Sequence, residues 1–538
     1  MSLRPVLLSG YAAKSCARAT HNRYDDTVPE QPTEVSDALQ NLFDRGNTHE
    51  EQVFTDWLAT GHEVVDLGHL GDDKRAHITA TVAALTAGTA VVLGGRLPDD
   101  RAGGRTGKPD ALVRADGGGY HPADVKAHKV LSRHGEGALV ATLDRPRLAD
   151  AQICALGLRW DERDLLQLAH YWRMLEACGY AAAEPWGAII GTEGELGWYD
   201  LTEPAYVTFS RSEGKKTRSA LERYDHEHDF RVRVARVAQQ RTSDSVEPLP
   251  LVEPVGQVEC LECAWAPVCV DTLPVEDVSR ELLGTLSVRE YLALAAEGIE
   301  TVADLADADL DALLESSFAD ENTHVRGLPR RLGKARTSAS LAQAGVVLRL
   351  RPGAVFNVPR AEVEIDLDME SDRDGRVYLW GALITSSGVS TYVSFLDVSV
   401  RDELSERVLA QRCFDWLATQ TGSLVYHYSA VERTAARRIL GGGLASFAGT
   451  SADPTTWVDL HTHVKGSFDS RAGLGLKVLA TLGAGFSWRD EDPGGLQSQD
   501  WLEEARAGDE AALQRVLDYN EDDVRATIAL RSWLDTFP

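Results

Sequence analysis

No apolar run in the sequence approaches the roughly 20 residues that a membrane-spanning helix needs, and the opening MSLRPVLLSGYAAKSCARATHN carries only a short apolar patch, not the core of a secretory signal. Both absences predict a cytoplasmic protein. Positive charge is scarce as well: 55 Lys and Arg stand against 83 Asp and Glu, a formal net charge of -28. This excludes a general electropositive coat for nucleic acid, whose affinity comes largely from Lys and Arg at phosphates. It leaves room for a groove of local positive charge beside metal-binding acids, with the overall acidity serving solubility. Cysteine is sparse and odd in number, seven in all, which excludes a fully paired disulfide framework and fits a reducing compartment. A nucleotide-phosphate loop is missing too, because Lys108 in GGRTGKP is followed by Pro109 where a Walker motif requires Ser or Thr.

The 538 residues suffice for about three to four domains. The densest chemistry lies in GKPDALVRADGGGYHPADVKAHK, Gly107 to Lys129. Asp110 opens an alternating strand, Gly117 to Gly119 supply a reversal, and the chain returns through Asp124 and Lys126. A three-residue loop centred on Gly118 would set Asp110 opposite Lys126, with Asp124 on the same face. Two carboxylates and an ammonium in one place suit a hard cation, magnesium or manganese, that makes hydroxide beside a phosphate. The plainer reading is a surface hairpin with solvated side chains.

Around it, Val53, Phe54, Trp57 and Leu58 recur at helical spacing after Gly46, His49 and Glu50. DERDLLQLAHYWRMLEAC from Asp161 predicts a helix with Gln167 and Tyr171 one turn apart. A charged helix is expected from Ser212 to about Gln240; its Lys215, Lys216, Arg218, Arg223, Arg231, Arg233 and Arg236 are the best local candidates for phosphate contacts. Cys260, Cys263 and Cys269 follow in ECLECAWAPVC, a metal-ligand spacing short of one thiolate, for which Cys16 is the obvious supplier. Four thiolates suit structural zinc or an iron-sulfur cluster equally, whereas Cys154, Cys178 and Cys413 are expected as buried apolar thiols.

Residues 271–350 predict short helices, with GIET as the turn of a helix-hairpin-helix and RGLPRRLGKAR as a basic patch; a plain structural linker is the alternative. Beyond residue 350, AEVEIDLDMESD, RVYLWGALI and STYVSFLDV are three strands, the first showing Asp366, Asp368 and Glu370 on one face. LVYHYSAVE joins strand to helix, WVDLHTHV predicts another strand, and DYNEDDVRATIALRSWL a last amphipathic helix with Tyr519 and Asp523 one turn apart.

Several of these motifs resemble known families. G-x-x-D followed by D-V-K is similar to the PD-(D/E)XK nuclease core, with Asp110 and Asp124 as its acids and Lys126 as its lysine. G-x-x-H-E and Q-x-x-x-Y resemble RecB-family motifs. The resemblance implies that His49 joins the metal site, that Gln167 and Tyr171 serve catalysis, and that Cys16, Cys260, Cys263 and Cys269 hold a 4Fe-4S cluster, with zinc as the rival. LDMESD, HYSAVE and YNEDD resemble the three motifs of a DEDD 3′ to 5′ exonuclease of the ribonuclease-H-like fold. That likeness implies metal ligands at Asp368, Glu370, Glu432 and Asp523, with Tyr519 placing the attacking water; Glu432 stands where Asp is usual, and Asp366-x-Asp368 is an alternative register. The chain thus resembles bacterial RecB-like nucleases with an α/β restriction-endonuclease-like domain over 1–270, a helical segment over 271–350 and a ribonuclease-H-like domain over 351–538. The family implies hydrolysis of DNA, single-stranded or end-bearing, in repair, recombination or defence, and a separate helicase partner; activity of the C-terminal domain alone, on RNA, is a further reading. A non-catalytic nucleic-acid-binding scaffold is the competing function.

Overall fold

The computed structural model describes the whole chain except 1–3, 30–36, 62, 72, 212, 243–246, 491–496 and 538, and leaves out the side chains at 37, 38, 41 and 42. Ser212, the expected start of the charged helix, lies outside the described residues. The chain divides into two compact units, Met1–Ala335 and Arg336–Pro538, so that most of the 271–350 helices fall in the first. No helix among the described residues is long and apolar enough to cross a membrane.

The first unit is built on an eight-stranded mixed sheet. Its strands in chain order are β1 (Val64–Asp66), β2 (Val91–Leu93), β3 (Ala111–Arg114), β4 (Tyr120–Val125), β5 (Leu139–Ala141), β6 (Gln152–Ile153), β7 (Trp186–Ile190) and β8 (Leu196–Asp200), arranged β1-β2-β3-β4-β7-β8-β5-β6. β4 is buried along its whole length and pairs parallel with β7, as a central strand covered on both faces does. Four helices frame the side chains of interest: α1 (Ala17–Tyr24), α2 (Asp37–Ala59), α3 (Glu162–Cys178) and α4 (Ala220–Ala238). α3 starts because the Asp161 carboxylate accepts from the Arg163 N–H, and stops at Gly179, whose φ of 80° a side chain disfavours. Its apolar face, Leu165, Leu168, Ala169 and Trp172, is buried against the sheet core.

The structure corrects two expectations. The β3–β4 turn runs Ala115–Gly119, not as three residues about Gly118, and pairs Ala111 with Ala123 and Arg114 with Tyr120. Asp110 therefore falls opposite Asp124 rather than Lys126. Only Gly118 and Gly119 of the three glycines take positive φ, and a Cβ at Gly119 would lie 2.3 Å from the Ala181 carbonyl oxygen. The charged helix is also shorter than its composition suggests: Gly214–Arg218 is a strand of a two-stranded hairpin, and α4 begins behind a capping box of Ser219 and Glu222. That places Lys215 and Lys216 on a strand, and Arg218, Arg223 and Arg231 are already ion-paired to Glu213, Glu162 and Glu227.

The second unit carries a five-stranded sheet: β9 (Val363–Ser371), β10 (Val377–Ser386), β11 (Val389–Leu396), β12 (Leu424–His427) and β13 (Val458–Asp459), in the order β11-β10-β9-β12-β13. β9 pairs antiparallel with β10 and parallel with β12. Helices α5 (Val431–Leu440), α6 (Leu476–Leu482) and α7 (Glu510–Leu534) flank it. WVDLHTHV is a strand only at Val458–Asp459; Asp459 then caps a short helix Leu460–Val464 by accepting from the His461 N–H. A capping carboxylate outcompetes strand propensity at that point.

Candidate metal centres

In the second unit, period-two alternation along β9 sets Glu364, Asp366, Asp368 and Glu370 on one face. These acids do not share one fate. Arg531 from α7 takes the first two, Glu364 Oε2 at 2.6 Å and Asp366 Oδ2 at 2.5 Å, and so removes the Asp366-x-Asp368 register from the metal reading. Asp368 and Glu370 are left to meet Asp523 of α7. One carboxylate oxygen from each of the three lies within 4.8 Å of the others, the only such set of three His, Cys, Asp or Glu donors among the described residues.

Each acid is held by a different neighbour. Asn520 donates to Asp368 Oδ2 at 2.8 Å, Ser498 to Glu370 Oε2 at 3.1 Å and the Trp488 indole to Asp523 Oδ1 at 2.7 Å. Burial raises all three, with repulsion from neighbouring carboxylates adding to it: Asp368 well above the carboxylate range, Glu370 to about 8 and Asp523 to about 6. Three carboxylates held together in this way, Glu370 buried and Asp368 and Asp523 half-buried, are an arrangement suited to a cation. Glu432 lies outside the set of three. It is buried, its Oε2 is 3.2 Å from His427 Nδ1, and its charge still reaches Asp368. Tyr519 sits one turn before Asp523, and its hydroxyl accepts from the Lys477 ammonium at 2.8 Å.

The motifs in the sequence do not single out Asn520 or Lys477. Asn520 carries a signal, being three residues before Asp523 on one helix face; Lys477 of α6 carries none. Asn520 is fully buried and accepts from the Tyr392 hydroxyl at 2.8 Å. Its room comes from Gly381 on β10, where a Cβ would lie 1.6 Å from Asn520 Oδ1. Gly381→Ala should therefore push Asn520 off Asp368 and weaken divalent-metal affinity by about 10–100-fold, the usual cost of a lost ligand support. Titration calorimetry with manganese checks this; Tyr392→Phe, which leaves the Asn520–Asp368 bond in place, should lose less.

The first unit gathers a second constellation. Asp124 is fully buried, Lys126 makes an ion pair with it, and Asp110 Oδ2 accepts from the Val125 N–H at 2.8 Å. Gln167 Nε2 reaches Asp124 Oδ1 at 3.3 Å and the Tyr171 hydroxyl at 3.2 Å, so both α3 residues are enclosed in the centre rather than on a rim. Burial, Asp124 and Glu50 push Asp110 well above the carboxylate range. Burial works against charge on Lys126, yet Asp124 holds its ammonium above the ordinary lysine value. Glu50 of α2 is within electrostatic reach of Asp124 and is itself raised, chiefly by burial. His49, beside it, keeps a buried Nε2 without a hydrogen-bond partner among the described residues.

Cys16, which precedes α1, and Cys260, Cys263 and Cys269 line one cavity of about 320 Å³. Gln257 donates its side-chain amide to Cys16 Sγ at 3.2 Å and its backbone N–H to Cys260 Sγ at 3.4 Å. Burial raises Cys16, Cys260 and Cys263. No three of these sulfurs lie within 4.8 Å of one another, wider than the roughly 3.8 Å that tetrahedral Zn–S bonds of about 2.3 Å impose. The four thiols thus share a cavity without forming a closed ligand set. Cys413 is buried, whereas Cys154 and Cys178 are only half-buried, against expectation.

Neither the curated proteins nor the solved structures include a match to the chain. The profile of the RNase_H superfamily matches residues 365–535, which span Asp368, Glu370, Glu432, Tyr519 and Asp523. The second unit of this protein therefore carries an RNase_H-superfamily domain, and within it Asp368, Glu370 and Asp523 form an acidic group placed as metal ligands would be.

Proposed function

We propose that this protein is a magnesium- or manganese-dependent nuclease that hydrolyses DNA phosphodiester bonds. The convergence of Asp368, Glu370 and Asp523 inside the RNase_H-superfamily domain carries the reading. A divalent ion held there would make hydroxide from water and neutralise charge on the phosphate. The protein's own part is to hold three carboxylates against their repulsion through Asn520, Ser498 and Trp488, and to fix the Tyr519 hydroxyl by Lys477 so that it orients the attacking water.

A second, PD-(D/E)XK-like centre over 1–270 is part of the proposal. Asp110 and Asp124 would share a cation with Glu50 or His49 as the added ligand. Lys126 would offset phosphate charge, with Gln167 and Tyr171 holding Asp124 and the lysine in place. Supporting it are the enclosure of two acids with a lysine and the strongly raised Asp110. The four thiols line one cavity, which supports a bound 4Fe-4S cluster, with structural zinc as the alternative; either would tie the N-terminal segment to residues 257–269. DNA repair, recombination or defence, with a separate helicase as motor, is the setting proposed for this activity.

Purified protein should degrade end-labelled single-stranded DNA with magnesium or manganese. Lys126→Ala and Asp523→Ala should each remove one part of that activity, and the double variant all of it; a double variant as active as the parent would refute the proposal. The scaffold reading draws on Glu432, held by His427 apart from the acid set, and tight DNA binding without turnover in every divalent metal would decide for it.

A further inference from the structure

The turn Ala12–Lys14 brings a second lysine into the centre of the first unit. Lys14 Nζ donates to Gln167 Oε1 at 2.9 Å, and Lys126 Nζ donates to the same oxygen at 3.3 Å. Two ammonium groups on one amide oxygen repel each other. Lys126 is compensated by Asp124, whereas Lys14 rests on the face of the Tyr11 ring, 4.4 Å from its centroid, and has no ion pair among the described residues. An ammonium keeps three donors, and one amide oxygen cannot satisfy two such groups. A half-buried cation in this position is completed by an anion with several acceptor oxygens.

The placement is fixed by the backbone just beyond the turn. Arg231 donates to the Ser15 carbonyl at 2.6 and 3.3 Å, the Cys16 N–H donates to Glu259 Oε2 at 2.9 Å, and Ala13 is buried. Those bonds seat the turn, and the turn directs the lysine.

We propose that Lys14 is a substrate-contacting residue, a second cation that grips a non-bridging oxygen of the phosphodiester held at Asp110, Asp124 and Lys126. The inference rests on the nuclease reading of that centre. It gives the N-terminal segment a role besides carrying Cys16, because the same few residues that offer a thiol to the cavity also deliver a charge to the acids.

The test uses the full chain carrying Asp523→Ala, so that cleavage reports on the first unit alone, and a fluorescein-labelled single-stranded oligonucleotide as probe. Lys14→Met should lower kcat/KM by about 10–100-fold, the range for losing a hydrogen bond to a charged group, and Lys14→Arg should restore most of it. Binding in calcium should lose about one phosphate contact from its dependence on salt concentration. A Lys14→Met variant with the parent's rate and salt slope overturns the proposal. So does a loss that arginine does not restore and that leaves the slope unchanged, which is the signature of a merely structural lysine. Asp124→Asn in the same background separates the two readings: if it cuts as fast as its parent, the catalytic reading of this centre falls, and the salt slope still decides on Lys14.

Discussion

Asp523→Asn is expected to slow hydrolysis at the second unit's centre by on the order of 10³-fold, the equivalent of about 4 kcal/mol of metal-borne stabilisation of transition-state charge. It should also abolish a stabilisation by metal that depends on pH in a definite direction. Burial and neighbouring carboxylates raise Glu370 to about 8 and Asp523 to about 6, so the metal-free fold keeps protons that the unfolded chain would have released. The contribution of these acids to stability is therefore full below the unfolded carboxylate range, about 4, and is lost as pH rises through about 6 to about 8. A divalent cation replaces those protons, so the stabilisation it confers should grow over the same window, reaching about 2.7 kcal/mol at a hundredfold excess over Kd. Melting curves with EDTA or manganese at about pH 5 and about pH 8 read this directly. Without metal at the higher pH, Asp523→Asn should melt above the parent, because one repelling charge is gone; a parent whose melting ignores manganese at about pH 8 has no metal site here.

Arg531→Met should be the most damaging change to the stability of the second unit. The guanidinium is 1% exposed, spans Glu364 and Asp366, and lies 3.8 Å over the Tyr426 ring. Thr527 and the Tyr426 hydroxyl complete the two carboxylates at 2.8 and 2.9 Å. Removing the arginine strands two buried acids, at a cost of about 3–5 kcal/mol, a fall in Tm on the order of 10 °C for a unit of this size. The sign with pH should reverse at Glu364, though not at Asp366, which burial keeps above its ordinary value even beside Arg531. In the parent, Glu364 is held below its ordinary value by Arg531 despite burial, so its stabilisation is present at neutral pH and lost as pH falls through the depressed value. Without Arg531 both acids would sit above their unfolded values, so the variant should recover relative to the parent on acidification. Calorimetry across pH checks this, and Glu364→Gln, Asp366→Asn and Arg531→Met together should restore most of the loss, since neutral partners leave no stranded charge.

The same strand shows how far the sequence can be read. Alternation alone puts four acids on one face of β9, and helical spacing alone puts Tyr519, Asn520 and Asp523 on neighbouring positions of α7. Neither pattern says which acids are neutralised. That choice belongs to Arg531, eight residues past Asp523, which reaches Glu364 and Asp366 and leaves Asp368 and Glu370 to converge with Asp523. At the other centre, the glycines announced a reversal but not its register, because Gly117 needs no positive φ and Ala115 joins the turn instead.

By itself, then, the sequence determined the local geometry of this protein: which stretches alternate, which coil, where the chain turns, and that thiols and acids stand at ligand spacing. These properties depend on neighbours a few residues apart, whose relative placement follows from backbone periods of 2 and 3.6. Only the tertiary structure decided that Lys14 joins Lys126 on Gln167, that Lys477 holds Tyr519, and that Trp488 and Asn520 support two of the three acids. Such contacts join segments from 35 to 153 residues apart, and they are set by how apolar faces pack within each unit, Trp57 and Trp198 lying in a core of the first and Trp380 in a core of the second.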